Sequence, residues 1–140
     1  SFLVITHYQR LLDHIVPEVT DEGLVIEFFE TRSAPLFRNG VEPTALLEDL
    51  ALVLKRAAAV VTNPIAIEGH TASFPVVLAE NPSWDLSGLR ATAFRELLAE
   101  DGLPPSRIQR VTAHADREPA HGNLMDVRNN RLEVIFLRGH

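Results

Sequence analysis

The stretch TALLEDLALVLKRAAAVVTNPIAIEG, Thr44 to Gly69, holds a helix, its stop and a strand in direct succession. Leu46, Leu47, Leu50, Val53, Leu54, Ala57 and Val61 recur at helical spacing and form one broad apolar face. Thr44 can cap the helix, with Pro43 just before it. Glu48 and Asp49 near the start and Lys55 and Arg56 further on follow the order that the helix dipole favours. Asn63-Pro64 ends the pattern. Ile65 to Gly69 then reads as a short strand with Ile65 and Ile67 turned inward.

The flanking segments extend this alternation. Upstream, Glu18 to Phe29 reads as two strands around the turn Asp21-Glu22-Gly23, and Thr31 to Glu42, with Pro35, Asn39 and Gly40, as a loop. Phe2, Ile5, Leu12, Ile15 and Val16 make a helical stripe ending before Pro17, so residues 1–17 are expected to form an N-terminal linker helix. Downstream, His70 to Pro82 is a loop. Ser83 can cap a second helix over Trp84 to Asp101, closed by Gly102 and Pro104-Pro105. Arg107 to Ala113 and Leu132 to Leu137 read as strands separated by a polar loop. Strands joined by helices imply parallel neighbours; the last two strands have no helix between them and could pair either way. The expectation is an α+β domain over residues 18–138, a mixed β-sheet with two main helices packed on one face, plus the short N-terminal helix.

The 140 residues suit a single domain, and 46% hydrophobic with 23% charged residues is the composition of a globular chain. A net charge of −6 opposes a phosphate backbone, which argues against nucleic acid as a partner. Cysteine is absent, which removes disulfides, thiolate catalysis and cysteine-ligated zinc. Ala45 to Val61 is broken by four charges, so it is no membrane span. No signal peptide is visible. A chain that begins at Ser1 is read as a piece of a longer one, with targeting and anchoring segments expected upstream.

Three stretches invite chemistry. Gly69-His70-Thr71-Ala72-Ser73 leaves a strand, where such sheets usually bind ligands, and offers the Thr71 and Ser73 hydroxyls. Leu86, Arg90, Ala93 and Leu97 share a helical stripe, and an arginine there needs a carboxylate, water or the stripe's edge. Without an internal acid, a ligand carboxylate would suit its fork. Arg128-Asn129-Asn130-Arg131 crowds two cations and two amides at the entry of the last strand. None of the six histidines shows metal-ligand spacing and there is no HExxH, so no metal site is expected; neither is a cofactor. No phosphate loop and no GxSxG elbow appears, and nothing selects a catalytic triad, so the chain reads as a non-enzyme.

Taken in order, Gly69-His70-Thr71, Leu86-Ser87-x-x-Arg90-Ala91, Gly102-Leu103-Pro104, Arg107-Ile108 and Asn129-x-Arg131-x-Glu133 resemble the OmpA-like peptidoglycan-binding family. Trp84-Asp85-Leu86-Ser87, Arg107-Ile108-x-x-Val111, Ala115-Asp116-Arg117-Glu118-Pro119 and Val19-Thr20-Asp21-Glu22-Gly23-Leu24 are similar to its MotB branch, stator subunits of the flagellar motor. The resemblance covers Glu18 to Arg138. It implies a periplasmic anchoring module that grips peptidoglycan and forms a homodimer. It also implies an inner-membrane helix upstream that carries an ion-binding aspartate and assembles with a MotA-like subunit. The implied ligand-binding residues are Thr71, Ala72, Ser73, Ser87, Arg90, Asn129 and Arg131. Arg90 matches the family arginine that binds the diaminopimelate carboxylate. Three positions depart from the family pattern. Ala72 stands where the family has the aspartate that binds the ligand amine, Ser83 stands for an asparagine, and Asn129-Asn130-Arg131 for Asn-Arg-Arg. An ammonium without its carboxylate loses about 1.5–3 kcal/mol. Two alternatives stay open: an OmpA-like envelope anchor outside the motor, and a dimerisation domain that has lost glycan binding.

Overall fold

The computed structural model describes residues 7, 9–73, 83–120 and 122–138. The elements in chain order are β1 (Ile15–Thr20), β2 (Gly23–Phe29), β3 (Phe37–Arg38), β4 (Glu42–Pro43), α1 (Ala45–Ala58), β5 (Ile65–His70), α2 (Ser83–Glu100), β6 (Ile108–Ala113) and β7 (Arg131–Leu137). Short 3₁₀ turns at Pro105–Arg107 and Val127–Asn129 precede β6 and β7. Five strands form one sheet in the order β1-β2-β7-β5-β6, and β3 and β4 form a separate small hairpin.

The main helices lie on one face of the sheet, as the apolar patterning requires. Leu47, Leu50, Ala51, Leu54 and Ala58 of α1 are buried, as are Ser87, Ala91, Phe94 and Leu98 of α2. They pack with Phe28, Ile65, Ile67, Leu132, Val134 and Phe136 in a single core. The Phe28 and Phe94 rings meet edge to face at 5.7 Å. The expected cap of α1 is made: the Leu47 N–H donates to Thr44 Oγ1 at 3.3 Å. Such a cap contributes about 1 kcal/mol.

β5 and β6 are parallel and joined by α2, as a crossover demands. The last two strands do not pair with each other. β7 returns between β2 and β5, antiparallel to both, and takes the central position in the sheet. Leu132, Val134 and Phe136 of this strand face the helices, and Glu133 faces the other way.

Other expectations shift. His7 and 9–12 are helical, but Ile15 and Val16 belong to β1, which therefore starts before Glu18 and carries Pro17 on the sheet edge. An edge strand tolerates a residue without an N–H. Leu11 is buried in the core and Leu12 is exposed; Phe2 and Ile5 of the expected stripe lie outside the described residues. The apolar face of α1 ends at Ala58, and Val61 is exposed. On α2 the stripe Leu86, Arg90, Ala93 and Leu97 is half-buried and flanks the fully buried line Ser87, Ala91, Phe94, Leu98. Ser83 is the first residue of α2, and the residues before it lie outside the described set.

Candidate functional site

The strand-exit loop after β5 is held tightly. The backbone N–H of Thr71 donates to Ala115 O at 2.8 Å and that of Ser73 to Leu124 O at 2.8 Å. Ser73 Oγ donates to Asp116 Oδ2 at 2.9 Å. Between them, the Ala72 N–H donates to Asn130 Oδ1 at 2.8 Å. Asn130 Nδ2 donates in turn to Glu30 Oε2 at 3.0 Å, and Glu30 Oε1 accepts from the Leu36 N–H at 3.2 Å. Glu30 follows directly on β2 and is buried, so its carboxylate is held by donors rather than by water.

Arg90 reaches the same end of the molecule from α2. Its Nε donates to Gly40 O at 2.7 Å, and its guanidinium carbon lies 5.2 Å from the centre of the Phe37 ring. Burial pushes the Arg90 pKa below its ordinary value, and the Glu30 charge works against that push. No acceptor among the described residues meets Nη1 or Nη2 of Arg90. The arrangement is an arginine steadied through Nε and its flat face, with the outer edge of its fork uncommitted. That edge is the part that binds a carboxylate in parallel.

Three of the expected site residues, Ser87, Asn129 and Arg131, have structural partners instead, and a fourth, Thr71, is buried. Ser87 is buried, donates to Trp84 O at 3.1 Å and accepts from the Ala115 N–H at 3.1 Å, tying α2 to the loop after β6. Asn129 is buried and donates to Asn123 O at 2.8 Å. Arg131 is buried, donates to the carbonyls of Glu118 and Asn129, and lies 3.5 Å from Glu133 and 3.7 Å from Glu27. Thr71 is buried, and its hydroxyl meets no hydrogen-bond partner among the described residues. Ala72, Ser73 and Arg90 keep partial exposure. The residue of the Asn129-Asn130-Arg131 triplet that enters the Ala72 network is thus Asn130, not its neighbours. Chain alternation explains this: Arg131 begins β7 with its side chain on the sheet face opposite the helices, where it meets Glu133.

That opposite face carries a polar group that sequence spacing did not select. The pairing of β5 and β6 continues past their ends, with the His114 N–H on Gly69 O at 2.9 Å. The His70 and His114 rings therefore stack, 4.6 Å apart and 7° from parallel. His70 Nε2 lies 3.2 Å from Glu133 Oε1. His114 Nε2 lies 2.8 Å from Glu68 Oε1, and its Nδ1 is 2.8 Å from Glu118 Oε2. Burial alone pushes the Glu133 carboxyl up, but the His70 hydrogen bond and the charges of His70, Arg131 and His114 outweigh it and hold the group below its ordinary value. Only the parallel register brings these histidines together, which is why their distant positions in the chain gave no metal-like spacing.

Residues 29–133 match the OmpA family. Motility protein B of Escherichia coli K12 is 30% identical over 140 residues, covering 92% of this chain and 43% of that protein. Motility protein B of Bacillus subtilis 168 is 28% identical over 136 residues, covering 92% of this chain and 51% of that protein. The chain therefore spans about half the length of these curated relatives, or less. Among solved structures, the periplasmic domain of Helicobacter pylori MotB superposes with a TM-score of 0.74 at 19% identity, covering 90% of this chain and 83% of that one. The cell wall anchor of the Pseudomonas aeruginosa T6SS superposes with a TM-score of 0.73 at 22% identity, covering 94% of both chains. The sheet order, the placement of both helices and the match over residues 29–133 agree: the chain belongs to the OmpA family.

Proposed function

We propose that this chain is the peptidoglycan-anchoring, periplasmic part of a MotB-like flagellar stator subunit. The observation that carries the binding reading is Arg90: a partly buried guanidinium, steadied by Gly40 O and Phe37, with both terminal nitrogens uncommitted among the described residues. A stem-peptide carboxylate is the ligand group that this fork fits. The identity to motility protein B over 92% of the chain favours the stator over other envelope anchors. The module works as a grip, with no turnover. No helix among the described residues is long and apolar enough to cross a membrane. The inner-membrane helix and the contact with a MotA-like subunit belong, in this reading, to the part of the relatives that this chain does not span.

Two measurements test it. The purified chain should co-sediment with sacculi and leave them uncleaved; failure to sediment overturns the anchoring reading. It should also form a homodimer at high micromolar concentration, and sedimentation showing monomer alone would remove that part of the proposal.

The Ala72 position sets a further expectation. Ala72 is held by its N–H to Asn130, with the Glu30 carboxylate on the far side of the same amide. Ala72→Asp adds a carboxylate where a ligand ammonium is expected. The new charge also meets Glu30 through Asn130 and can pair with Arg90 when no ligand is bound, and both effects limit the gain. Binding of diaminopimelate-containing muropeptides should tighten by no more than about tenfold, roughly 1.4 kcal/mol. Calorimetric titration of both forms with one muropeptide reads the difference. Equal affinity would mean that the ammonium is met elsewhere.

A further inference from the structure

The histidine pair on the open face of the sheet is not needed for the grip described above, and its geometry poses a problem of its own. His114 faces a carboxylate oxygen at both ring nitrogens, Glu68 Oε1 at 2.8 Å and Glu118 Oε2 at 2.8 Å. A neutral imidazole has one N–H, so it satisfies one of these contacts and sets a lone pair against the other oxygen. His70 stacks on it at 4.6 Å with Nε2 against Glu133. His70 is 2% exposed, and its Nδ1 is buried without a partner among the described residues. A proton on His114 satisfies both carboxylates, and a cation held jointly with His70 and Glu68 is the other way to do so. A cation placed between the histidine nitrogens and Glu68 resolves the arrangement.

The ligand set is already gathered. Glu68, His70 and His114 each offer one donor atom, and these atoms all lie within 4.8 Å of one another. Tetrahedral bonds of about 2.0–2.2 Å set donor atoms about 3.3–3.6 Å apart, so the side chains close in by up to about 1.5 Å on binding. The Glu118 contact then has a defined part: it accepts the Nδ1–H of His114 and fixes the tautomer that leaves Nε2 free, as carboxylates commonly do behind metal-bound imidazoles. The cleft alongside holds about 450 Å³ and is lined by Glu18, Asp21, Glu22, Glu68, Glu118 and Glu133. Arg131 lines it too, and Arg110 pairs with Glu22 at 2.6 Å and with Glu68 Oε2 at 3.3 Å, which leaves the acidic groups in excess and Glu68 Oε1 turned to His114. Such a field draws in cations.

We propose that Glu68, His70 and His114 bind one divalent transition-metal ion of the zinc type, with Glu133 or water completing a tetrahedral shell and Glu118 positioning His114. Two imidazoles and a carboxylate without thiolate select zinc and its neighbours over magnesium, which prefers oxygen ligands. The ion would clamp the ends of β5 and β6, from which the Thr71–Ser73 loop and the Ala115 loop depart.

The test uses the 140-residue chain stripped with chelator and titrated with zinc chloride alone. Calorimetry should show one zinc per chain with micromolar or tighter affinity. At a hundredfold excess over Kd the melting temperature should rise by about 5–10 °C. Magnesium chloride should do neither. Cobalt(II) should give the intense visible bands of a tetrahedral site. His114→Ala should abolish the stoichiometric binding, the shift and the bands, whereas His7→Ala should leave them. If His114→Ala fails to fold, Glu68→Gln carries the same test. No stoichiometric zinc in the wild type, octahedral cobalt spectra, or unchanged binding in a folded ligand variant each overturns the proposal.

Discussion

Gly69→Ala is expected to cost about 3–5 kcal/mol of folding stability, a large part of what holds a domain of this size together. Gly69 lies in β5, next to the centre of the sheet, and faces α2. A β-carbon there would come within 2.1 Å of the Ser87 carbonyl oxygen and 2.9 Å of its carbon. Both are backbone atoms, so no side-chain rotation relieves the clash. Either α2 lifts from the sheet or β5 sinks away from it. Lifting α2 opens the packing of Ala91, Phe94 and Leu98 and breaks the Ala115 N–H bond to Ser87 Oγ. Sinking β5 strains its ladders with β6 and β7. Overpacking of movable side chains typically costs about 1–3 kcal/mol, and a collision between two backbones lies above that range. Chemical denaturation of the variant gives the number. A loss under about 1 kcal/mol would mean that α2 does not approach β5 as closely as described.

The sequence marks Gly69 only as part of a strand exit suited to ligands, and the approach of the α2 backbone to it was not legible. The same division runs through the molecule. The cap at Thr44 and the crossover from β5 to β6 rest on local chemistry and periodicity and appear where expected, whereas α1 ends at Ala58, five residues before the Asn63-Pro64 stop. The place of β7 between β2 and β5 rests on a long-range choice that no local pattern encodes. The face of α2 was misjudged by one position, because Ser87 and Ala91 are small or polar and do not look like core residues. They are buried because the sheet comes so near. At the site, Arg90 stood out as a cation on an apolar stripe. Glu30 did not, since nothing near it in the chain hints that it accepts from Asn130. Arg131 was read as a ligand group from the resemblance, but strand alternation turns it to the other face, where Glu27 and Glu133 lie near it.

Arg90→Ala should lower the affinity for sacculi and for soluble muropeptides by about tenfold to a hundredfold. A charge-assisted bond to a ligand carboxylate is worth about 1.5–3 kcal/mol, and about 1.4 kcal/mol is a factor of ten. The same substitution removes the bond to Gly40 O and the contact with the Phe37 ring, so it will not be silent for the fold. These two contacts tie the β3–β4 hairpin to α2, and their loss should cost about 1–2 kcal/mol. Arg90→Lys separates the two roles. It keeps a positive charge near Glu30 but has neither the Nε donor at the Gly40 carbonyl nor a planar fork for two parallel bonds. If a ligand carboxylate is gripped at the fork, Arg90→Lys should lose most of the affinity that Arg90→Ala loses while remaining nearer wild type in melting temperature. If Arg90 only braces the hairpin, both variants should bind sacculi as the wild type does once corrected for the folded fraction. Titrations with one muropeptide, run well below each variant's melting temperature, distinguish these results. Equal binding across all three proteins would remove Arg90 from the site and, with it, the main chemical support for a stem-peptide carboxylate as the ligand.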